Sequence, residues 1–357
     1  MTRHFMLKIK SFAGALAAAI LMLTATSCNN PVFDYEGDCD PHYYLQFVFD
    51  RNMHYNDNHG IGADAFAAQV GSVDVYFFDE ETGQLALHLE ENGAALREHG
   101  YRMSVDIAPG KYEIIAWCGL HDNDNHFSLK SDISERQDLT CRMSRKTDAE
   151  NGTVFSDDCL NPLFHGSIVW DMPNHEGEYV ETIYLTKDTN YIQLALQQIS
   201  GELDPEQFDV TIEDANGYLA HNNSLLADDI IQYRPWSKKG GIAYVEQVTR
   251  SGETEETEGV GTGFMVAELA TSRLMADRQP ILTVTDKTTN QTVFSLDLVK
   301  YIKMMKSERY SYMDDQEYLD RQDEYSVMVF LENNGGWRAV QIVINSWRVV
   351  DNGNVGL

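Results

Sequence analysis

The run Val73-Asp74-Val75-Tyr76-Phe77-Phe78, closed by Asp79-Glu80-Glu81-Thr82-Gly83 and resumed from Leu85 to Leu89, decides the fold class. β-Branched and aromatic residues in such a run predict a strand. The acidic segment ending in glycine predicts a tight turn, with Gly83 free to take positive φ, and a second extended segment after it. Upstream, Tyr44-Leu45-Gln46-Phe47-Val48-Phe49 predicts a strand that ends at Asp50-Arg51-Asn52 in a polar loop. Downstream, Tyr101 to Ile107 alternates, Ala108-Pro109-Gly110 turns and Lys111 to Trp117 returns, which predicts a hairpin. Leu163 to Val169 and Tyr179 to Leu185 read as further strands, whereas the polar stretch Asn123 to Asp158 predicts long loops or a short helix.

Lys187-Asp188-Thr189-Asn190 reads as a seam, because the pattern repeats beyond it. Tyr191-Ile192-Gln193-Leu194-Ala195-Leu196 echoes Tyr44 to Phe49, and Phe208 to Asp214 with Ala215-Asn216-Gly217 echoes the Val73 strand and its turn. Further strands are expected at Ile242 to Thr249 and Phe264 to Glu268 around a Glu, Thr and Gly tract, Gly252 to Gly263, and at Pro280 to Asp286 and Thr292 to Leu298. Val299 to Lys306 has helical spacing, and the acidic run Met313 to Glu324 reads as a solvated face. Tyr325 to Glu332 and Trp337 to Val350, joined at Asn334-Gly335-Gly336, predict a closing hairpin. Strands at regular spacing with little helical pattern make the chain mainly β, built as sandwiches.

The start of the chain sets its compartment. Arg3, His4, Lys8 and Lys10 precede an apolar run from Phe12 to Leu23, and Ala25-Thr26-Ser27 places small residues before Cys28. This resembles a bacterial lipoprotein signal, which implies cleavage before Cys28 and lipid on its thiol. An ordinary secretory signal cut near Ser27 is the alternative. Residues 1–27 are the expected signal, 28–37 a lipidated spacer, 38–187 an N-terminal sandwich and 188–357 a C-terminal one.

Charge narrows the partners. Removing Arg3, Lys8 and Lys10 from 27 Lys and Arg leaves 24 against 56 Asp and Glu, a formal charge near −32. Nucleic acid would be repelled by such a field, so no nucleic-acid partner is expected. Anionic membrane would be repelled too, which leaves lipid on Cys28 to hold the protein there. Cys39, Cys118, Cys141 and Cys159 are even in number and suit an oxidising compartment; they form disulfides of open pairing or stand as buried thiols.

Catalytic motifs with a physical logic do not occur: no Gly-x-Ser-x-Gly elbow, no His-Glu-x-x-His, no glycine-rich phosphate loop. No enzyme activity and no cofactor are expected. His121-Asp122-Asn123-Asp124-Asn125-His126 is the most metal-like segment, yet it lacks the glycine and distal glutamate of a calcium loop and reads better as a solvated turn. His54 and His59 read the same way, so no metal site is expected. The tryptophans, among them Trp117 and Trp170, read as core.

The lipoprotein signal, the Tyr44 and Val73 strands, Ala108 to Tyr112, the echo at Tyr191, and above all Tyr318-Leu319-Asp320-Arg321-Gln322-Asp323-Glu324-Tyr325 with Val343-Ile344-Asn345-Ser346-Trp347-Arg348-Val349-Val350 resemble the FimB-type fimbrial anchor family. These are the fimbrillin-A associated anchor lipoproteins of type V pili. The resemblance covers nearly the whole chain after the signal. It implies two transthyretin-like β-sandwiches, no catalysis, and a place at the base of a fimbria on the outer membrane. It also implies fimbrial stalk subunits as partners, joined by strand complementation. Stalk and tip subunits of such pili are cut after an arginine near the first strand, which makes Arg51 a processing candidate; its other reading is a plain loop cation. The tail Asp351 to Leu357 is short, so either the last strand, Val340 to Val350, is donated or the protein only accepts a strand. A surface adhesin that binds glycan or host protein is the second function in view.

Overall fold

A computed structural model describes residues 41–53, 55–56, 60–121, 125–198, 203–244, 261–306, 308–331 and 337–344. Both hydrophobic cores lie within the compact unit formed by residues 41–174 and 178–357. The architecture is mainly β. Its longer strands are β1 (Pro41–Val48), β2 (Ser72–Asp79), β3 (Leu85–Asn92), β4 (Lys111–Cys118), β5 (Phe164–Asp171), β6 (Gly177–Tyr184) and β7 (Thr189–Gln198). They continue as β8 (Phe208–Asp214), β9 (Ser237–Tyr244), β10 (Gly261–Ser272), β11 (Ile281–Asp286), β12 (Gln291–Asp297), β13 (Glu324–Leu331) and β14 (Trp337–Ile344). Short helices follow β12 as α1 (Leu298–Met304) and α2 (Asp315–Asp320).

The first core lies between two sheets. One has the order β6, β1, Met103–Val105; the other runs Thr186–Lys187, β5, β4, β2, β3. Period-two alternation sends Tyr43, Leu45 and Phe47 of β1 inward, against Val73, Val75 and Phe77 of β2 and Ile114 and Ala116 of β4. The second core includes Ile192, Leu194 and Leu196 of β7 from the sheet β9, β10, β7, β13, β14, and Val210, Ile212, Leu282 and Val284 from the sheet that carries β8, β11 and β12. Strand β7 is antiparallel to β10 and parallel to β13. The β2–β4 sheet serves both cores: Tyr76, Phe78, Ile115 and Trp117, on its other face, belong to the second. That double burial explains why β2 is an almost unbroken apolar run rather than an alternating one.

The turn after β2 forms as its residues require. Gly83 sits at φ 70°, and Asp79 Oδ1 accepts from Thr82 N at 2.8 Å and Thr82 Oγ1 at 2.7 Å. β11 and β12 pair around Lys287 to Asn290, with Asn290 at φ 52°, and β13 pairs with β14 as the closing hairpin. Residues 334–336 and the 245–260 tract lie outside the described residues.

Two readings are corrected. Met103–Val105 does not pair with β4; it pairs with β1, Tyr43 opposite Val105, while β4 pairs with β2 and β5. Ala108-Pro109-Gly110 therefore carries the chain from one sheet of the sandwich to the other. The run Met313 to Glu324 is not a solvated face, because α2 forms within it and buries Tyr318 and Leu319. Asp314 caps that helix, accepting from Glu317 N at 2.7 Å. The described part of Asn123 to Asp158 holds four short strands, Phe127–Leu129, Cys141–Met143, Lys146–Thr147 and Val154–Ser156, besides its loops.

Candidate functional site

Strand β1 occupies the middle of its sheet, and its inward side chains are aromatic anchors. Tyr43 packs edge-on to Trp170 at 5.6 Å, Phe47 stacks on Phe66 at 5.6 Å, and Phe49, just past the strand, meets Phe164 edge-on at 5.0 Å. Tyr43 Oη donates to Pro173 O at 2.5 Å, and burial raises its pKa. The chain leaves β1 through a tied loop. Phe49 N donates to Asp64 Oδ1 at 2.9 Å, and Asn52 Nδ2 donates to Phe49 O at 2.7 Å and Ala63 O at 2.8 Å. Arg51, between these fixed points, is exposed, its guanidinium 6.0 Å from the centre of the Tyr184 ring.

Unpaired strand edges are the other feature suited to assembly. Within the sheets of the described residues, β3, β6, β9, β12 and β14 each have a neighbour on one side only. Such an edge presents free backbone donors and acceptors to an added strand.

Of the cysteines, Cys118 is buried at the end of β4, Cys141 is a buried free thiol, and Cys159 is an exposed one. Burial pushes the Cys141 thiol well up; at Cys159 partial burial, then the Glu268 carboxylate, raises it. Cys28 and Cys39, with His54 and His59, lie outside the described residues.

The seam Lys187 to Asn190 is buried. Lys187 Nζ meets Asp323 Oδ2 at 2.6 Å, and Arg273 grips Asp320 through two nitrogens, 2.9 and 2.6 Å, with Asp188 Oδ1 3.6 Å from its Nε. The segment His121 to His126 does not act as a unit. His126 uses its backbone N and Nδ1 on Asn161 Oδ1, at 2.9 and 3.1 Å. His121 turns instead toward Asp74, Nε2 to Oδ2 3.0 Å, and toward Glu90 Oε1 at 3.7 Å. Asp74, Glu90 and His121 together could hold a cation. Asp74 and Glu90 were missed at the level of sequence, although an aspartate inside an apolar strand, followed by His88-x-Glu90 on one face of the next, is a legible signal.

The stacked sheets, with strand edges open among the described residues, define a mainly β protein. A model of the fimbrillin-A associated anchor proteins Mfa1 and Mfa2 matches residues 35–353, and the chain belongs to that family. A crystal structure from Bacteroides thetaiotaomicron described as a candidate adhesin is 30% identical, covers 87% of this chain and 98% of its own, and superposes with a TM-score of 0.70. A second from the same organism, described as a candidate polysaccharide-binding protein, is 30% identical over 86% of this chain and 97% of its own, with a TM-score of 0.67. The fimbrial anchor protein Mfa2 from Porphyromonas gingivalis, 18% identical over 87% and 98%, shares the fold at a TM-score of 0.58. No curated protein matches by sequence. The resemblance read from the closing segment is borne out, and the chain is a component of a structural fimbrial family.

Proposed function

We propose that this protein is the lipid-tethered anchor of a type V pilus, holding the fibre to the outer membrane through Cys28 and limiting its length. The match to the anchor family over residues 35–353 carries the reading. The charge supports it, since a chain near −32 has little electrostatic reason to stay at anionic membrane without lipid. Its partners are fimbrial stalk subunits, joined by strand complementation at an edge such as β14. The echo of β1 and β2 in β7 and β8, each pair with one strand in either sheet of its sandwich, supports two sandwiches in tandem. An anchor keeps β1 and the chain before it. Cutting after Arg51 would remove both, opening a groove lined by Phe66, Trp170 and Phe164 and releasing the lipid. Of the two readings of Cys39, Cys118, Cys141 and Cys159, disulfides of open pairing or thiols, the free thiols of Cys141 and Cys159 support the second.

The test is electron microscopy of source cells and medium with the gene deleted. Shed or overlong fibres support the anchor; attached fibres of normal length refute it. A second reading, a tip or surface adhesin that binds glycan or host protein, is favoured by the 30% identical relatives described as a candidate adhesin and a candidate polysaccharide-binding protein. Glycan binding by the purified protein, with fibre attachment unaffected by the deletion, would put that reading first.

A further inference from the structure

We propose that Asp74, Glu90 and His121 form a zinc site that clamps the edge strand β3 and the loop after β4 to the neighbouring interior strand β2. Asp74 and Glu90 are direct cross-strand partners in the β2–β3 ladder, so their side chains leave one face side by side. His121 is brought to them by its own backbone. Gly119 N donates to Ser72 O and His121 N to Ser72 Oγ, both at 3.0 Å, which ties the loop to the start of β2. Gly119 makes that path possible: its φ is +92°, and a Cβ there would lie 2.1 Å from Pro162 O.

The atoms are spaced as ligands. Zinc bonds to nitrogen and oxygen of about 2.0–2.2 Å place neighbouring tetrahedral ligands about 3.3 Å apart. Asp74 Oδ2 to His121 Nε2 is 3.0 Å and His121 Nε2 to Glu90 Oε1 is 3.7 Å, and the three ligand atoms lie within 4.8 Å of one another. The independent observation is Asp74 itself. Its side chain is only 4% exposed, and Oδ2 accepts no hydrogen bond although His121 Nε2 lies 3.0 Å away. A buried carboxylate oxygen left without a donor is costly, and a cation between it and the imidazole removes the cost.

His88 completes the arrangement from behind. Its Nε2 is 3.2 Å from Asp74 Oδ1, and its ring stacks on Tyr76 at 4.1 Å with 9° between planes. One carboxylate oxygen is thus oriented by a fixed imidazole while the other faces the site, a common outer-shell device. Imidazole with two carboxylates suits zinc; calcium would ask for six to eight oxygens. The fourth position is open to water. The ligands come from an interior strand, an edge strand and a loop, so a bound ion would hold the three together.

Zinc titrated by calorimetry into the full chain, after treatment with chelator, is expected to bind once per chain in the micromolar range and to raise Tm. His121→Ala and Glu90→Gln change side chains 42% and 44% exposed, so both should fold, which circular dichroism checks. Each should weaken binding at least about tenfold, while Cys159→Ser should leave it unchanged. No zinc uptake, uptake equal in the His121 and Glu90 variants, or preference for calcium would overturn the site.

Discussion

Asp188 and His165 are buried ionisable groups whose preferences oppose each other. Burial pushes the Asp188 carboxyl up to about 7, against the pull of Arg273 and of Asn223 Nδ2, which donates to it at 2.9 Å. Burial holds the His165 imidazole down to about 4, although its Nε2 sits 2.8 Å from His221 O. For Asp188 the folded state binds a proton that the unfolded chain releases between about pH 4 and 7, so its contribution to stability falls as pH rises through that window. For His165 the unfolded chain binds the extra proton between about pH 4 and 6.5, so its contribution falls as pH drops. The two partly cancel in the native protein. Asp188→Asn should therefore make stability rise more steeply with pH, and His165→Gln should make it rise less steeply or fall. Denaturant unfolding at about pH 5 and pH 7 reads both slopes; parallel slopes in the two variants would contradict the assignment. Gly119→Ala combines positive φ with a backbone overlap, and should cost on the order of 2–3 kcal/mol in the same assay. None of these positions was legible in the sequence: Asp188 lay in a segment read as a seam, and His165 in a strand read only as such. Burial comes from what packs over a residue, which local spacing does not carry.

Strand β1 shows what spacing does carry. Tyr43, Leu45 and Phe47 alternate, and the inward set follows directly from that period. Leu45 is fully buried, so Leu45→Ala should lose about 2–5 kcal/mol, whereas Gln46→Ala, on the other face, should stay within about 0.5. Equal losses would mean β1 is not seated as described. Pairing is less legible than facing. Tyr101 to Ile107 and Lys111 to Trp117 have the alternation and turn residues of a hairpin, yet Met103 and Val105 enter the first core from one sheet and Ile114 and Ala116 from the other. A Pro-Gly turn serves a sheet switch as well as a hairpin, and only the partner strands, β1 and β2, decide between them. Helix α2 was hidden for a related reason: six residues give less than two turns, too few for a period, and its acids masked Tyr318 and Leu319. The candidate cation site needed the same missing fact, since Asp74 and Glu90 become neighbours only once the register of β2 and β3 is fixed.

At the scale of the molecule, the formal charge of −29 for the whole chain and the proposed tether make a joint prediction. A protein held at a membrane by basic residues comes off in high salt, because screening shortens the reach of each charge to a few ångströms. This chain carries the opposite sign, so salt has no attraction to screen and can only relieve repulsion. Lipid on Cys28 would hold by buried methylenes, which salt does not weaken, and two or more acyl chains make that hold durable. Membranes of source cells washed in high salt should therefore keep the protein, and Cys28→Ser should shift it to the soluble fraction without a salt dependence. The N-terminal peptide of the membrane-bound form should begin at lipid-modified Cys28. If the bound form instead begins at Asn52, β1 has been removed after Arg51 and the protein is held by its neighbours in the fibre. Loss of the variant to degradation would be distinguished by Leu45→Ala, which weakens the fold and leaves Cys28 intact; that protein should stay with the membrane at reduced amount, while Cys28→Ser alone changes fraction.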